Sequence, residues 1–254
     1  MARHDGRSLD SPRPVHMDIG FHRMAEGSVL YRAGSTVVLC TASVEDRVPP
    51  FLEGKGKGWL TAEYQMHPRS NPHRREQRDG RTKPPSGRTQ EIQRLVGRAL
   101  RAAVDLDRLG ERTIAIDCDI LEADGGTRTA SVTAGFVALA VALQRITKRG
   151  DLKVPVLREP IAAISVGCIK NGELALDLCY QEDSTAQVDL NVVATESHAI
   201  IEVQGTAEGE PVPRATMDKM VDLGLSGVTM LVQAQKLALS RAGVSLEALT
   251  AKKS

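Results

Sequence analysis

The chain has 254 residues, is 41% hydrophobic but only 3% aromatic, and carries a net charge of +1. That length admits one or two domains with an aliphatic core, and the near-neutral balance excludes a partner chosen by bulk charge alone. The four cysteines, Cys40, Cys118, Cys168 and Cys179, have no C-x-x-C spacing and lie in or beside apolar runs, which favours buried reduced thiols over a zinc site and suits the cytoplasm.

The opening segment, MARHDGRSLDSPRPV, is charged and has no apolar stretch of signal-peptide type. Residues 1–14 are polar and are expected on the surface. No apolar run is expected to approach the ~20 uncharged residues of a membrane span. GSVLYRAGSTVVLCTASV (27–44) holds two strand-like runs split at Ala33-Gly34, a hairpin pattern. KGWLTAEYQM (57–66) reads as a strand, and 67–88 reads as a long loop without apolar periodicity. Ile92, Leu95, Val96, Ala99, Leu100, Ala103 and Val104 then recur at helical spacing, with Ser86 placed to cap the helix. RTIAIDCDIL (112–121) is strand-like, and 129–145 predicts a helix apolar nearly all round, hence buried between layers. Asn171-Gly172 splits 160–178 into a hairpin, and 187–209 repeats the pattern with a bend near Glu196-Ser197. Residues 214–241 predict a long helix with Gly224 and Gly227 inside it. Strands and helices mix without strict alternation and no linker interrupts them, so 1–254 reads as a single α+β domain, its element order hinting at two related halves.

Three features carry chemistry. The first is EADGGTRTAS, Glu122 to Ser131, between a strand and a helix. A helix N-terminus favours anions, glycines let an anion approach the backbone, and Arg128 adds a planar fork suited to phosphate. Neither a P-loop nor G-x-G-x-x-G is present, so the set suits one small oxyanion rather than a triphosphate tail. An ordinary glycine turn with Thr127 capping the helix is the alternative. The second feature is RSNPHRREQRDGRTKPPSGR, whose arginines concentrate positive charge fit for a phosphate backbone, with a solvated surface loop as the alternative. No aromatic residue interrupts it, so base stacking is not expected there. The third is CYQEDSTAQVDLNV, in which Asp183 and Asp189 can bind Mg²⁺ or serve as a general acid. An N-cap is the alternative for Asp183. The six histidines fall at no metal-ligand spacing, and no serine sits in a nucleophile elbow.

Together these residues resemble the ribonuclease PH family of phosphorolytic 3′→5′ exoribonucleases. The resemblance covers nearly the whole chain and includes VLCTASVEDRVPPF, GWLTAEYQM, SGRTQEIQRLVGRALRAAVDL, ERTIAIDCDILEADGGTRTASVTAG, EDSTAQVDLNVVATES and EVQGTAEG. It implies a fold like the second domain of ribosomal protein S5, with mixed sheets and packed helices. It implies removal of nucleotides from the 3′ ends of tRNA precursors and other RNA as nucleoside diphosphates, reversible to nucleotide addition. Inorganic phosphate would be the co-substrate, bound by Arg88, Gly126, Thr127 and Arg128. Asp183 and Asp189 would be the catalytic pair, either as ligands of Mg²⁺ or as proton donors. Arg69, Arg74, Arg75, Arg78 and Arg81 would grip RNA, and the chain would assemble as a hexameric trimer of dimers in the cytoplasm. Two other classes stay open. A non-catalytic, RNA-binding ring subunit of exosome-core type would be expected to lack the phosphate loop or the aspartates. A small-molecule kinase of the same fold would need a glycine-rich ATP loop, which the chain lacks.

Overall fold

The computed structural model describes residues 3–72, 74–77, 84–169, 172–208 and 210–251. Two sheets and two long helices form its layers. The first sheet has the order β1-β2-β3-β5-β4, with β1 at Val15–Ile19, β2 at Gly27–Ala33, β3 at Thr36–Glu45, β4 at Trp59–Met66 and β5 at Thr113–Glu122. All its pairings are antiparallel except β4 with β5. That parallel pair needs a crossover, which α1 (Gly87–Ala102) and the short α2 (Leu106–Leu109) supply. The alternation anticipated for these strands is realised. In β5, Ile114, Ile116, Cys118 and Ile120 are buried, whereas Asp117 and Asp119 face away. Cys40 and Cys118 are register partners with Sγ atoms 3.4 Å apart, and all four cysteines are buried free thiols.

The second sheet has the order β7-β6-β8-β9, with β6 at Ile161–Cys168, β7 at Leu174–Leu176, β8 at Val188–Thr195 and β9 at Ile200–Ala207. Both expected hairpins form; Gly172 has φ +74°, and Asn171 lies outside the described residues. Every residue of β6 is buried. The reason is that α3 (Thr127–Arg149) covers one face of this sheet and α5 (Arg214–Arg241) the other. Helix α3 also packs on β2 and β3, so both sheets share it. That double burial explains its all-round apolar composition. It also corrects one expectation: α3 is long and apolar enough to cross a membrane, with a mean hydropathy of 1.4 over eighteen residues, but 83% of that stretch is buried inside the protein.

Helix α1 forms as its periodicity predicts. The Ser86 hydroxyl accepts from Thr89 N at 3.1 Å, and Ile92, Leu95, Val96, Ala99 and Leu100 face the core. The two glycines of α5 mark close approach. A Cβ on Gly224 would lie 2.6 Å from Val192 Cγ2, and one on Gly227 would lie 2.7 Å from Ile164 Cδ1. Two further one-turn helices, α4 (Tyr180–Asp183) and α6 (Leu246–Leu249), complete the chain.

The N-terminal segment departs from expectation. It is polar, yet Arg3 and Arg13 are buried, only 6% and 5% exposed. Arg13 makes a bidentate pair with Asp177, Nε to Oδ2 at 2.9 Å and Nη2 to Oδ1 at 2.7 Å. Arg3 donates to Leu176 O at 2.6 Å, to Asp177 O at 2.9 Å and to both carboxylate oxygens of Glu182. A buried cation demands paired acceptors, and the second half of the chain supplies them.

Candidate active site

The loop between β5 and α3 turns through Gly125 (φ +73°) and Gly126 (φ +64°), two successive left-handed residues for which glycine carries no Cβ penalty. Space restricts Gly125 as well: a Cβ there would lie 2.7 Å from Leu178 O and 2.8 Å from Tyr180 N. The loop is held by its own carbonyls. Asp124 O accepts from Arg13 Nη1 at 2.6 Å, and Gly125 O accepts from Thr36 Oγ1 at 2.8 Å. The N-cap of α3 is Gly126, and no side chain caps the helix. Its first-turn N–H groups are therefore not spent on a capping side chain. The Thr127 hydroxyl, anticipated as one possible cap, pairs instead with Tyr64 Oη at 2.9 Å.

Arg128 projects from the first turn of α3 toward both halves of the chain. Its Nη1 donates to Gln204 Oε1 of β9 at 2.7 Å, and its Nη2 lies 3.7 Å from Glu91 Oε2 of α1. Gln204 Nε2 in turn donates to Glu91 Oε1 at 3.1 Å, closing a triangle. Arg88 lies in the first turn of α1, exposed, directly after the Ser86 cap.

Asp183 closes α4 rather than capping the start of a helix, which overturns the N-cap alternative. Glu182 anchors that turn by accepting from Cys179 N at 3.1 Å and from Arg3. Asp189 is on β8, opposite Gly167 of β6, and Asn191 Nδ2 lies 3.5 Å from its Oδ2. Burial raises the pKa of Asp183, although the fields of Arg128 and Arg88 oppose this. Burial, reinforced by the negative charge of Asp183, lifts Asp189 further, to about 6, against the pull of Arg128, Asn191 and Arg88.

Arg88, Gly126, Thr127, Arg128, Asp183 and Asp189 all line one cleft of about 470 Å³. Of the basic-loop arginines, Arg74 also reaches this cleft, while its Nε pairs with Glu76 at 2.8 Å. Arg69 and Arg75 are exposed and are not among the cleft's lining residues. Arg78 and Arg81 lie outside the described residues. Sequence reasoning missed Asn191, Ser165 and Tyr180 in the wall. The alternation of Asp189 and Asn191 with the apolar Leu190 and Val192 could have revealed Asn191; nothing local marks the other two. Two neighbouring carboxylates on a cleft with room for a phosphate are a suitable oxygen donor set for Mg²⁺. By contrast, His4, Cys179 and Glu182 bring ligand atoms within 4.8 Å of one another, but Glu182 is committed to Arg3 and lies 3.9 Å from Arg7, which disfavours a cation there.

Comparison with known proteins places the chain in a family. Residues 11–143 match the model of the 3′ exoribonuclease family, domain 1, and residues 159–227 match its domain 2. The ribonuclease PH of Bacillus velezensis is 53% identical over 236 residues, covering 92% of this chain and 95% of that protein. The ribonuclease PH of Bacillus subtilis is 52% identical over the same shares. Among solved structures, rice (Oryza sativa) Rrp46 superposes with a TM-score of 0.75 at 17% identity, covering 93% of this chain and all of that one. A chain of the Archaeoglobus fulgidus exosome with RNA bound to the active site gives 0.74 at 22% identity, covering 91% of this chain and 92% of that one. At such identities these two report the shared fold.

Proposed function

Because this chain belongs to the 3′ exoribonuclease family that includes ribonuclease PH, we propose that it is a phosphate-dependent 3′→5′ exoribonuclease acting on tRNA precursors and other RNA 3′ ends. The observation that carries this reading is the convergence of Arg88, Gly126, Thr127 and Arg128 with Asp183 and Asp189 on a single cleft. Inorganic phosphate is assigned to the cationic side, between Arg88 and the start of α3, where guanidinium groups and helix N–H groups favour an oxyanion. The last phosphodiester of the RNA would lie between that ion and the carboxylates. Phosphate oxygen attacks this phosphorus, the bond to the leaving 3′ oxygen breaks, and that oxygen takes a proton. The products are a nucleoside diphosphate and an RNA one nucleotide shorter, so the reaction runs backward at high diphosphate. Positioning and charge neutralisation supply most of such catalysis.

Asp183 and Asp189 are assigned the acidic side of the cleft. They are the residues that would hold Mg²⁺, which when bound adds positive charge at the phosphoryl oxygens. Their other task is to hold or hand over a proton at the leaving oxygen. Arg69, Arg74, Arg75, Arg78 and Arg81 are assigned to the RNA backbone. Because α3 serves both sheets and the cleft draws on both, we read 1–254 as one catalytic domain. A hexameric ring in the cytoplasm completes the proposal, in keeping with the family resemblance and with the free cysteines.

The test is incubation with a 3′-tailed RNA, with and without phosphate. Nucleoside diphosphates appearing only with phosphate are the expected result. Monophosphates, or release independent of phosphate, would reject the reading.

A further inference from the structure

The cleft has groups for an incoming phosphate and for the scissile phosphodiester, and nothing described so far recognises the base of the terminal nucleotide. One wall residue is unlike the rest. Tyr180 is 59% exposed, whereas the other two tyrosines, Tyr31 and Tyr64, are only 3% and 2% exposed. It lies three positions before Asp183 on the single turn of α4, hence on the same helix face. Its backbone is fixed: Tyr180 N donates to Asp124 Oδ1 at 3.2 Å, and the phosphate loop presses on it at Gly125. Arg74, whose guanidinium is exposed, lines the same cleft.

We propose that Tyr180 is the stacking platform for a nucleobase at the RNA 3′ end, with the Arg74 guanidinium beside it. A tyrosine ring has only two side-chain torsions to fix and here its backbone is anchored, so stacking costs little conformational freedom. Every base has a π-face, so such a platform accepts all four. That suits an enzyme that must advance through any sequence, because the base changes at each step while the phosphate geometry does not. The tyrosine therefore sets the register of the 3′ end against Asp183 without selecting its identity. This inference rests on the RNA reading above and assigns the base subsite within it.

The experiment measures binding of a 5′-labelled single-stranded RNA without phosphate, using the full-length protein, Tyr180→Ala and Tyr180→Phe. Each is tried with an ordinary RNA and with one abasic at its last two positions. Tyr180→Ala should weaken ordinary RNA roughly tenfold, whichever base ends it, and Tyr180→Phe should stay within about twofold of the native protein. The abasic RNA should bind the native protein and Tyr180→Ala alike, and the apparent KM for phosphate should not move. Equal binding of ordinary RNA by the native protein and Tyr180→Ala overturns the proposal. So does an equal loss on abasic RNA, which would point to a backbone contact. Neither result touches the wider reading, which stands or falls on phosphate-dependent diphosphate release by the native protein.

Discussion

Arg128, proposed to hold phosphate, itself depends on distant neighbours for its direction. Its guanidinium is oriented by Gln204 and Glu91, residues far from it in sequence. Hydrogen bonds to charged groups contribute roughly 1.5–3 kcal/mol. Arg128→Ala should thus raise the KM for phosphate by about one to two decades. Gln204→Ala, which leaves the charge but frees its direction, should raise it by several-fold, about half a decade. A phosphate titration reads both, and an unmoved KM in Arg128→Ala would remove this arginine from the phosphate site. On the outer face of the first sheet, burial and then the neighbouring Asp119 push the Asp117 carboxyl above its ordinary range. Glu63, its register partner on β4, is raised in turn by burial and by Asp117. The folded state therefore holds the Asp117 proton more tightly than the unfolded chain. That contribution is complete below the unfolded value and is lost as pH rises through the elevated folded one. Asp117→Asn should accordingly raise Tm at pH 7, with the gain shrinking toward zero near pH 4. A gain that is constant across that range would show the effect is not electrostatic.

At the scale of elements, helix α5 shows two terms in competition. Replacing an interior helical glycine by alanine gains about 1 kcal/mol of propensity. Overpacking a filled core costs roughly 1–3 kcal/mol. At Gly224 the obstructing atoms belong to Val192, a stiff β-branched residue on the buried β8, so packing should win. Gly224→Ala is expected to lose about 1–2 kcal/mol in denaturant unfolding; a more stable variant would mean that α5 can lift from the sheet. The same element shows where local pattern falls short. The span 214–241 was legible as a helix, but the reason for its glycines lies in β6 and β8. Conversely, β1 was missed, because Val15–Ile19 alternates only partly buried positions and becomes a strand by pairing with β2. Helix α4 was missed because one turn carries no periodicity.

Across the whole molecule, buried charge adds to the packing of α3 in holding the two halves together beside the cleft. Arg13 touches the loop between β5 and α3 through Asp124 O and the second half through Asp177. Asp177 adopts a left-handed φ of +55°, costly for a non-glycine residue, and Arg13 holds it there. Burial works against the charge on Arg13, and the pairing with Asp177 outweighs that, keeping its pKa raised. Removing one partner of a buried pair costs about 3–5 kcal/mol because the other charge is left uncompensated. Asp177→Ala should therefore lower Tm by roughly 10 °C in a chain of this size and abolish phosphorolysis as the loop and α4 separate. An unchanged melting temperature would show that the Arg13–Asp177 pair adds nothing to the packing about α3.

What the residues determined by themselves was local. Apolar runs and the helical period placed β3, β5 and α1, the Gly125-Gly126 pair marked a turn between a strand and a helix, and the paired carboxylates stood out beside an apolar strand. Family resemblance told which of these belonged together. Tertiary structure alone decided that Arg3 and Arg13 lie inside and that Tyr180 lies open at the cleft wall. Spacing along a chain encodes which face of an element is apolar. Which distant faces meet is decided by the packing of two sheets about α3, and no local pattern contains it.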